Sequence, residues 1–377
     1  MGAALKEVLG PEAIAWLATQ VSGAWPVFDA VAFTRDCHVG LDEMGLMERA
    51  HHLARCLHDY LPKPFPLAAQ VLSTSFGPQC ASDGSGLDTL RYLPHSCFVQ
   101  RYGLNDIEAS LQFQHALTQR FTAEFSIRAF LATDAERTWR QLEEWALDPN
   151  VHVRRLVSEG TRTRLPWAPR VPTLTEQPLR VLALLERLKD DSERYVQRSV
   201  ANSLNDLAKD HPQMVIETAA RWLADAPVNR QWIVRHGLRT LIKQGNREAL
   251  ALLGVSRLPE VAVSIPAPRQ ETVLLGDSLA LTFHLASTSA TDQDLLVDYR
   301  VHFVKANGTT RPKVFKLRRL TLKPGEQTIL RASVSFAAMT TRRHYPGPHH
   351  IELLINGVAQ PAMTCTVITP PATVPNP

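Results

Sequence analysis

Residues 138–160 read TWRQLEEWALDPNVHVRRLVSEG. The pattern is one helix, an Asp-Pro break and a second helix, because proline ends a helical run and cannot continue it. In the second helix Val153, Leu156, Val157 and Gly160 fall on one face, while His152, Arg155 and Glu159 fall on the other. The same plan returns at residues 179–210, LRVLALLERLKDDSERYVQRSVANSLNDLAKD, and at 215–246, VIETAARWLADAPVNRQWIVRHGLRTLIKQGN. Arg155, Arg198 and Arg235 occupy matching places, 43 and 37 residues apart, which suits HEAT-type helical pairs. Residues 122–139, TAEFSIRAFLATDAERTW, read as an earlier, shorter copy with Arg128 in the matching place. Stacked pairs of this kind build a curved solenoid whose concave face is lined by the second helices.

Working outward, the helical pattern runs to about residue 258 and then changes. Seven short runs follow: VAVSIPAPRQ, DSLALTFHLAS, LLVDYRVHFV, KVFKLRRLTL, TILRASVSF, HHIELLING and MTCTVIT. Turn sequences such as ANGTT, LKPGEQ and YPGPHH separate them. Short alternating strands at this spacing predict a β-sandwich of immunoglobulin-like size, without the Cys–Trp–Cys pattern of antibody domains. The expected organisation is therefore multidomain: an all-α HEAT-like-repeat solenoid over 1–258, an all-β immunoglobulin-like sandwich over 259–370, and a tail over 371–377.

A chain of 377 residues with 45% hydrophobic content suits two cores. It has no apolar run long enough to span a bilayer, and its start lacks the basic end and apolar block of a signal peptide. Five cysteines without CxxC spacing fit reduced, buried thiols in the cytoplasm. The net charge of +4 permits a nucleic-acid partner without requiring one. No GxxxxGK[ST], GxSxG or HExxH occurs, so nucleotide hydrolysis, an elbow serine and a zincin lack support. His51, His52 and His58 read as ordinary helix residues, and no metal or cofactor is expected.

If the copies stack in register, Arg128, Arg155, Arg198, Arg235 and Arg239 fall on one concave stripe. Such a stripe is either the footprint of a phosphate backbone or a set of solvated arginines paired at i,i+4, as Glu124 and Arg128 could be. Glu124, Glu159 and Asp206 fall amid these arginines, each assigned to the polar side of a different second helix. They either orient the arginines or perform chemistry. Trp167 is either a stacking side chain or a loop anchor capping the core; Trp145 and Trp222 belong in the core, and Trp232 fits either setting.

RRLVSEGTRTRLPW, LTQRFTAEFSIRAFL, YVQRSVANSLNDLAKDHP and VRHGLRTLIKQGNREALALLG together resemble the AlkC-type DNA glycosylases, HEAT-like-repeat enzymes that remove alkylated bases. The likeness covers most of 1–258, and some members carry an immunoglobulin-like domain after it. Thr163 and Ala129 stand where proline is usual, which puts local loop shape rather than chemistry in question. The resemblance implies that Glu124, Glu159 and Asp206 are the catalytic acids, and that Arg155, Arg162 and Trp167 stand near the lesion. It implies double-stranded DNA containing alkylated bases as partner, with the backbone gripped and the base left in the stack. N3-methyladenine is the substrate it suggests first, with N3-methylcytosine and N1-methyladenine as further candidates; the chain itself is expected to be a monomer.

Carboxylates suit that chemistry. A cationic base departs neutral and needs no protonation, so the enzyme must favour a cationic sugar and deliver water to C1′. Arg162 and Arg164 complete the groups that would hold DNA beside Glu159. In the sandwich, RPKVFKLRRLTLK places Arg318 and Arg319 on a strand, and TTRRHYPGPHH adds Arg342 and Arg343. These form either a second DNA clamp or a charged edge that discourages aggregation. The rival to an enzyme is a HEAT-repeat scaffold that binds DNA or protein without catalysis.

Overall fold

The computed structural model describes residues 5–80, 86–255, 258–266, 272–339 and 343–369. Arg342 and the expected tail at 371–377 lie outside the described residues. The chain divides into two compact units, Met1–Gly237 and Leu238–Pro377.

In the first unit, helices Ala135–Trp145 and Val151–Gly160 form the pair that the opening stretch predicts. The Asn150 side chain caps the second helix by accepting from the His152 amide, and Asp148 accepts from the Asn150 amide. The pairs Pro178–Leu188 with Arg194–Leu207 and Pro212–Leu223 with Val228–Gly237 repeat the plan, and each opens on proline at a first helix, where a missing N–H costs nothing. Their apolar faces meet in one core that includes Leu156, Val157, Val200, Leu204, Ile233 and Val234. Trp145 and Trp222 are buried, as expected. The helix Val151–Gly160 packs on Arg194–Leu207, which packs on Val228–Gly237, so the second helices stand side by side. Gly160 permits a close crossing: a Cβ there would stand 2.6 Å from Ile127 Cγ2. The 122–139 copy is less regular than expected. Glu124 sits in a turn, and the helix begins only at Ile127 and runs to Thr133.

The second unit contains two short helices, Arg239–Lys243 and Arg247–Ala251, and a two-sheet sandwich. Strands β1 (Val261–Ser264), β3 (Ser278–Ser287) and β6 (Gln327–Ser335) form one sheet in the order β1-β3-β6. Strands β2 (Thr272–Leu274), β4 (Gln293–Val304), β5 (Thr310–Leu322), β7 (Gly347–Ile355) and β8 (Val358–Ile368) form the other, in the order β2-β8-β7-β4-β5. Seven of these strands match the alternating runs; β2, three residues long and parallel to β8, is too short to show a period. Leu279, Leu281, Phe283 and Leu285 point inward against Leu295, Val297, Ile351 and Leu353. Asn356 and Gly357 turn β7 into β8 with φ of 49° and 77°, the left-handed backbone that favours Asn-Gly in a tight hairpin.

Candidate active site

Three carboxylates and two guanidinium groups alternate in one row inside the first unit. Glu124 Oε2 lies 2.6 Å from Arg155 Nη1. Arg155 Nη2 lies 3.6 Å from Glu159 Oε2, and Glu159 Oε1 lies 2.5 Å from Arg162 Nη1. Arg162 Nε then donates to Asp206 Oδ2 at 2.8 Å, and Lys209 Nζ closes the row on Asp206 Oδ1 at 2.9 Å. Glu124, Glu159 and Asp206 are 8%, 6% and 2% exposed, so the row is held largely out of water.

Local geometry explains how three distant segments meet. Arg155, Glu159 and Arg162 follow one another at i, i+4 and i+7, which puts them on one side of the helix and its first loop residues. The neighbouring helix Arg194–Leu207 answers with Tyr195, Ser199 and Asp206 at i, i+4 and i+11, again one face. Tyr195 packs its ring 5.2 Å from the Arg155 guanidinium, Ser199 donates to Glu159 Oε2 at 2.6 Å, and Asp206 receives Arg162. Glu124 arrives from its turn, where Thr122 Oγ1 donates to Glu124 Oε2 at 2.9 Å and accepts from Arg155 Nη1 at 2.9 Å.

Electrostatics keep Glu159 charged. Burial pushes its carboxyl up, but Arg155 and Arg162 outweigh burial, aided by the Ser199 hydroxyl, and hold it below the usual glutamate value. Burial likewise opposes the charges of Arg155 and Arg162, and their carboxylates outweigh it and raise both. A cavity of about 270 Å³ opens beside Glu124 and Arg155, with Tyr195, His152, Phe121 and Arg120 in its walls.

The loop after Gly160 carries the remaining residues. Arg164 forks onto Asp210 at 2.5 and 3.1 Å. Trp167 is 88% exposed and holds φ at 66°. Of its two readings, the one that caps the core is thereby overturned: a bulky side chain in left-handed backbone, turned to solvent, is presented rather than packed. Arg128 also departs from expectation. It is 3% exposed, and its guanidinium donates to the carbonyls of Gly160, Arg162 and Pro169 at 3.0, 2.8 and 2.9 Å. Burial pushes its pKa down to about 10, which leaves it a cation at neutral pH, used as a brace for the loop rather than as a groove-lining charge. The expected arginine stripe is thus divided by depth: Arg128 braces, Arg155 holds acids together with Arg162 of the following loop, and Arg198 and Arg235 are exposed. Arg239 belongs to the second unit. Trp232 stacks on His236 at 4.8 Å and lies 3.3 Å below the Arg194 guanidinium.

Sequence reasoning missed Thr122, Tyr195 and Ser199. The last two could have been found by reading their i, i+4 and i+11 spacing to Asp206 against that of Arg155, Glu159 and Arg162. Among the described residues no group of three or more His, Cys, Asp or Glu could hold a metal ion. In the second unit Arg318 and Arg319 stand exposed on β5, an edge strand. Arg319 donates to the Leu253 carbonyl at 2.9 Å, whereas Arg343 lies over Tyr345 at 5.6 Å.

Comparison with known proteins matches residues 118–249 to the DNA alkylation repair enzyme model and 262–369 to the C-terminal Ig-like domain of uncharacterised protein YhaZ. The chain is 35% identical over 354 residues to the uncharacterised protein YhaZ of Bacillus subtilis, covering 94% of this chain and 96% of that one. A solved structure of the Pseudomonas fluorescens alkylpurine DNA glycosylase AlkC, bound to DNA containing an abasic-site analogue, is 36% identical. It superposes with a TM-score of 0.88 and covers 97% of this chain and 99% of that one.

Proposed function

The chain belongs to the AlkC-type DNA alkylation repair enzymes and is an alkylated-base DNA glycosylase; from that premise we propose how its acid row works and on what. The substrates are cationic N-alkylated bases in double-stranded DNA, N3-methyladenine first, then N3-methylcytosine and N1-methyladenine. The reaction is hydrolysis of the N-glycosidic bond with the base left in the helix. The observation that carries this reading is the row itself: Glu124, Glu159 and Asp206 converge from separate elements around Arg155 and Arg162. Burying five charges for stability alone is a poor bargain, because well-packed apolar residues usually do as well.

The C1′–N bond breaks with its electron pair going to the already cationic base, which leaves neutral. Positive charge develops on the deoxyribose. A carboxylate about 4 Å from that charge stabilises it by roughly 4 kcal/mol at an effective dielectric of 20, close to three powers of ten in rate when realised only in the transition state. Water then bonds to C1′ and gives up a proton to a carboxylate, leaving an abasic site. The arginines offset the repulsion between acids and phosphates and keep Glu159 ionised. Trp167 presses on the lesioned step, Arg164, Arg198 and Arg235 meet the backbone, and the cavity beside Glu124 gives water access to the row. Labour divides near residue 258: residues 1–258 carry the chemistry, and 259–370 add the basic β5 strand with Arg318 and Arg319 as a second DNA contact.

Purified protein is expected to release free N3-methyladenine from alkylated duplex DNA, and Glu159→Gln or Asp206→Asn to lower release on the order of a thousand-fold with DNA binding retained. Binding without release by the wild-type protein would return the chain to a non-catalytic scaffold.

A further inference from the structure

We propose that Ser199 is a positioning residue for the reaction: with Ser158 behind it, it fixes the orientation of the Glu159 carboxylate. The inference rests on the assignment of Glu159 to catalysis. Ser199 is 2% exposed and Ser158 is fully buried. Ser199 Oγ stands 2.6 Å from Glu159 Oε2, and Ser158 Oγ stands 2.8 Å from Ser199 Oγ. The direction of this chain follows from counting protons. An ionised carboxylate only accepts, so the single Ser199 proton points at Glu159. The Ser199 oxygen is then free to accept, and the Ser158 proton has two acceptors in reach, Ser199 Oγ at 2.8 Å and the Arg155 carbonyl at 3.1 Å. The shorter contact directs it to Ser199. Each hydroxyl polarises the next, and the last bond has the length of a charge-assisted O–H···O⁻ contact.

The consequence is a division of the two Glu159 oxygens. Oε1 is fixed by Arg162, and Oε2 by Ser199, with Arg155 farther away at 3.6 Å. Both arginines also serve other acids, Arg155 serving Glu124 and Arg162 serving Asp206. Ser199 is the partner of Glu159 with no second acid to satisfy, and it stands on the rigid helix Arg194–Leu207 that also supplies Tyr195 and Asp206. It therefore ties the carboxylate plane to that helix when DNA draws on the arginines. The charged and titratable groups around Glu159 are Arg155 on its own helix, Arg162 in the following loop and Tyr195 on the facing helix, while Glu124 and Asp206 reach it through the arginines.

The test is single-turnover release of N3-methyladenine from a defined lesion duplex across a pH series, with affinity for abasic-site-analogue DNA measured in parallel. Ser199→Ala is expected to slow excision on the order of ten-fold with DNA affinity unchanged, the loss expected for one hydrogen bond to a charged group. The acidic fall-off in rate is expected to move to higher pH, because Glu159 loses a donor that favours its ionised form. Ser199→Thr, which keeps the hydroxyl, restores both. Ser158→Ala, which leaves the Ser199 bond in place, gives a smaller change in the same direction and guards against a folding defect at position 199. A Ser199→Ala enzyme with wild-type rate and pH limb overturns the inference, as does a Ser199→Thr enzyme as slow as Ser199→Ala. Glu159→Gln separates the two levels: wild-type excision by that variant overturns the catalytic assignment itself, whatever Ser199 does.

Discussion

Two sets of ion pairs tie consecutive helix pairs of the first unit together, and their charges stand in different surroundings. Arg180 forks onto Glu136 at 2.6 and 2.9 Å, and Arg230 onto Asp190 at 2.7 and 2.5 Å, both at the solvent surface. The row from Glu124 to Asp206 uses the same chemistry, also across repeats, but nearly out of water. Exposed pairs gain little because water screens them, and they can be lost with small effect. Buried pairs are costly to assemble and costly to break, and their charges act at short range with little screening. The same residue types therefore serve as fasteners in one place and, under the proposed function, as a preorganised field in the other.

The largest effect that could break this contrast is in the chemistry. Asp206→Asn is expected to lower base excision on the order of a thousand-fold, while Glu136→Gln leaves it unchanged, as measured by single-turnover release. Equal losses would erase the distinction between the two sets. Next comes the brace. Arg128→Met leaves three loop carbonyls without their donor and is expected to destabilise the fold by about 3 kcal/mol, read from denaturant midpoints. A protein of unchanged stability would return Arg128 to the DNA-contacting set.

Acidity sharpens the comparison further. Glu159 is held below the usual carboxyl value in the folded state, so its stabilising contribution is present above the unfolded value and disappears as pH falls through the folded one. Excision is expected to persist to lower pH than an ordinary glutamate would allow, and Arg162→Met to move that limb upward. A limb that stays put in the variant would mean another group sets it. Trp167→Ala is expected to weaken lesion-DNA binding about ten-fold with no change in melting temperature, since the side chain is largely exposed. The smallest change belongs to the second unit: Arg318→Ala is expected to reduce the slope of log K against log salt by about one, and an unchanged slope would assign the strand's charge to solubility.

The helix pairs and the sandwich strands were legible in residue order because period, breaker residues and repeat spacing are local properties, whereas a catalytic role for the acids came forward only with the family resemblance, and Glu124 stands in a turn rather than on the helix expected for it. Glu159 and Arg162 are three residues apart, so any helix end would bring them together. Depth was not legible. Arg128 and Arg155 hold the same repeat position by alignment, yet one braces a loop and the other bridges two acids. Ser199 looks like any small residue on a helix until the facing helix fixes its neighbour. Sequence by itself determined which faces are apolar, where helices stop and which residue types share a side. Only the tertiary structure decided which arginines stand exposed and which are taken up by carbonyls and carboxylates, because burial and hydrogen-bond partners depend on what the next repeat places opposite.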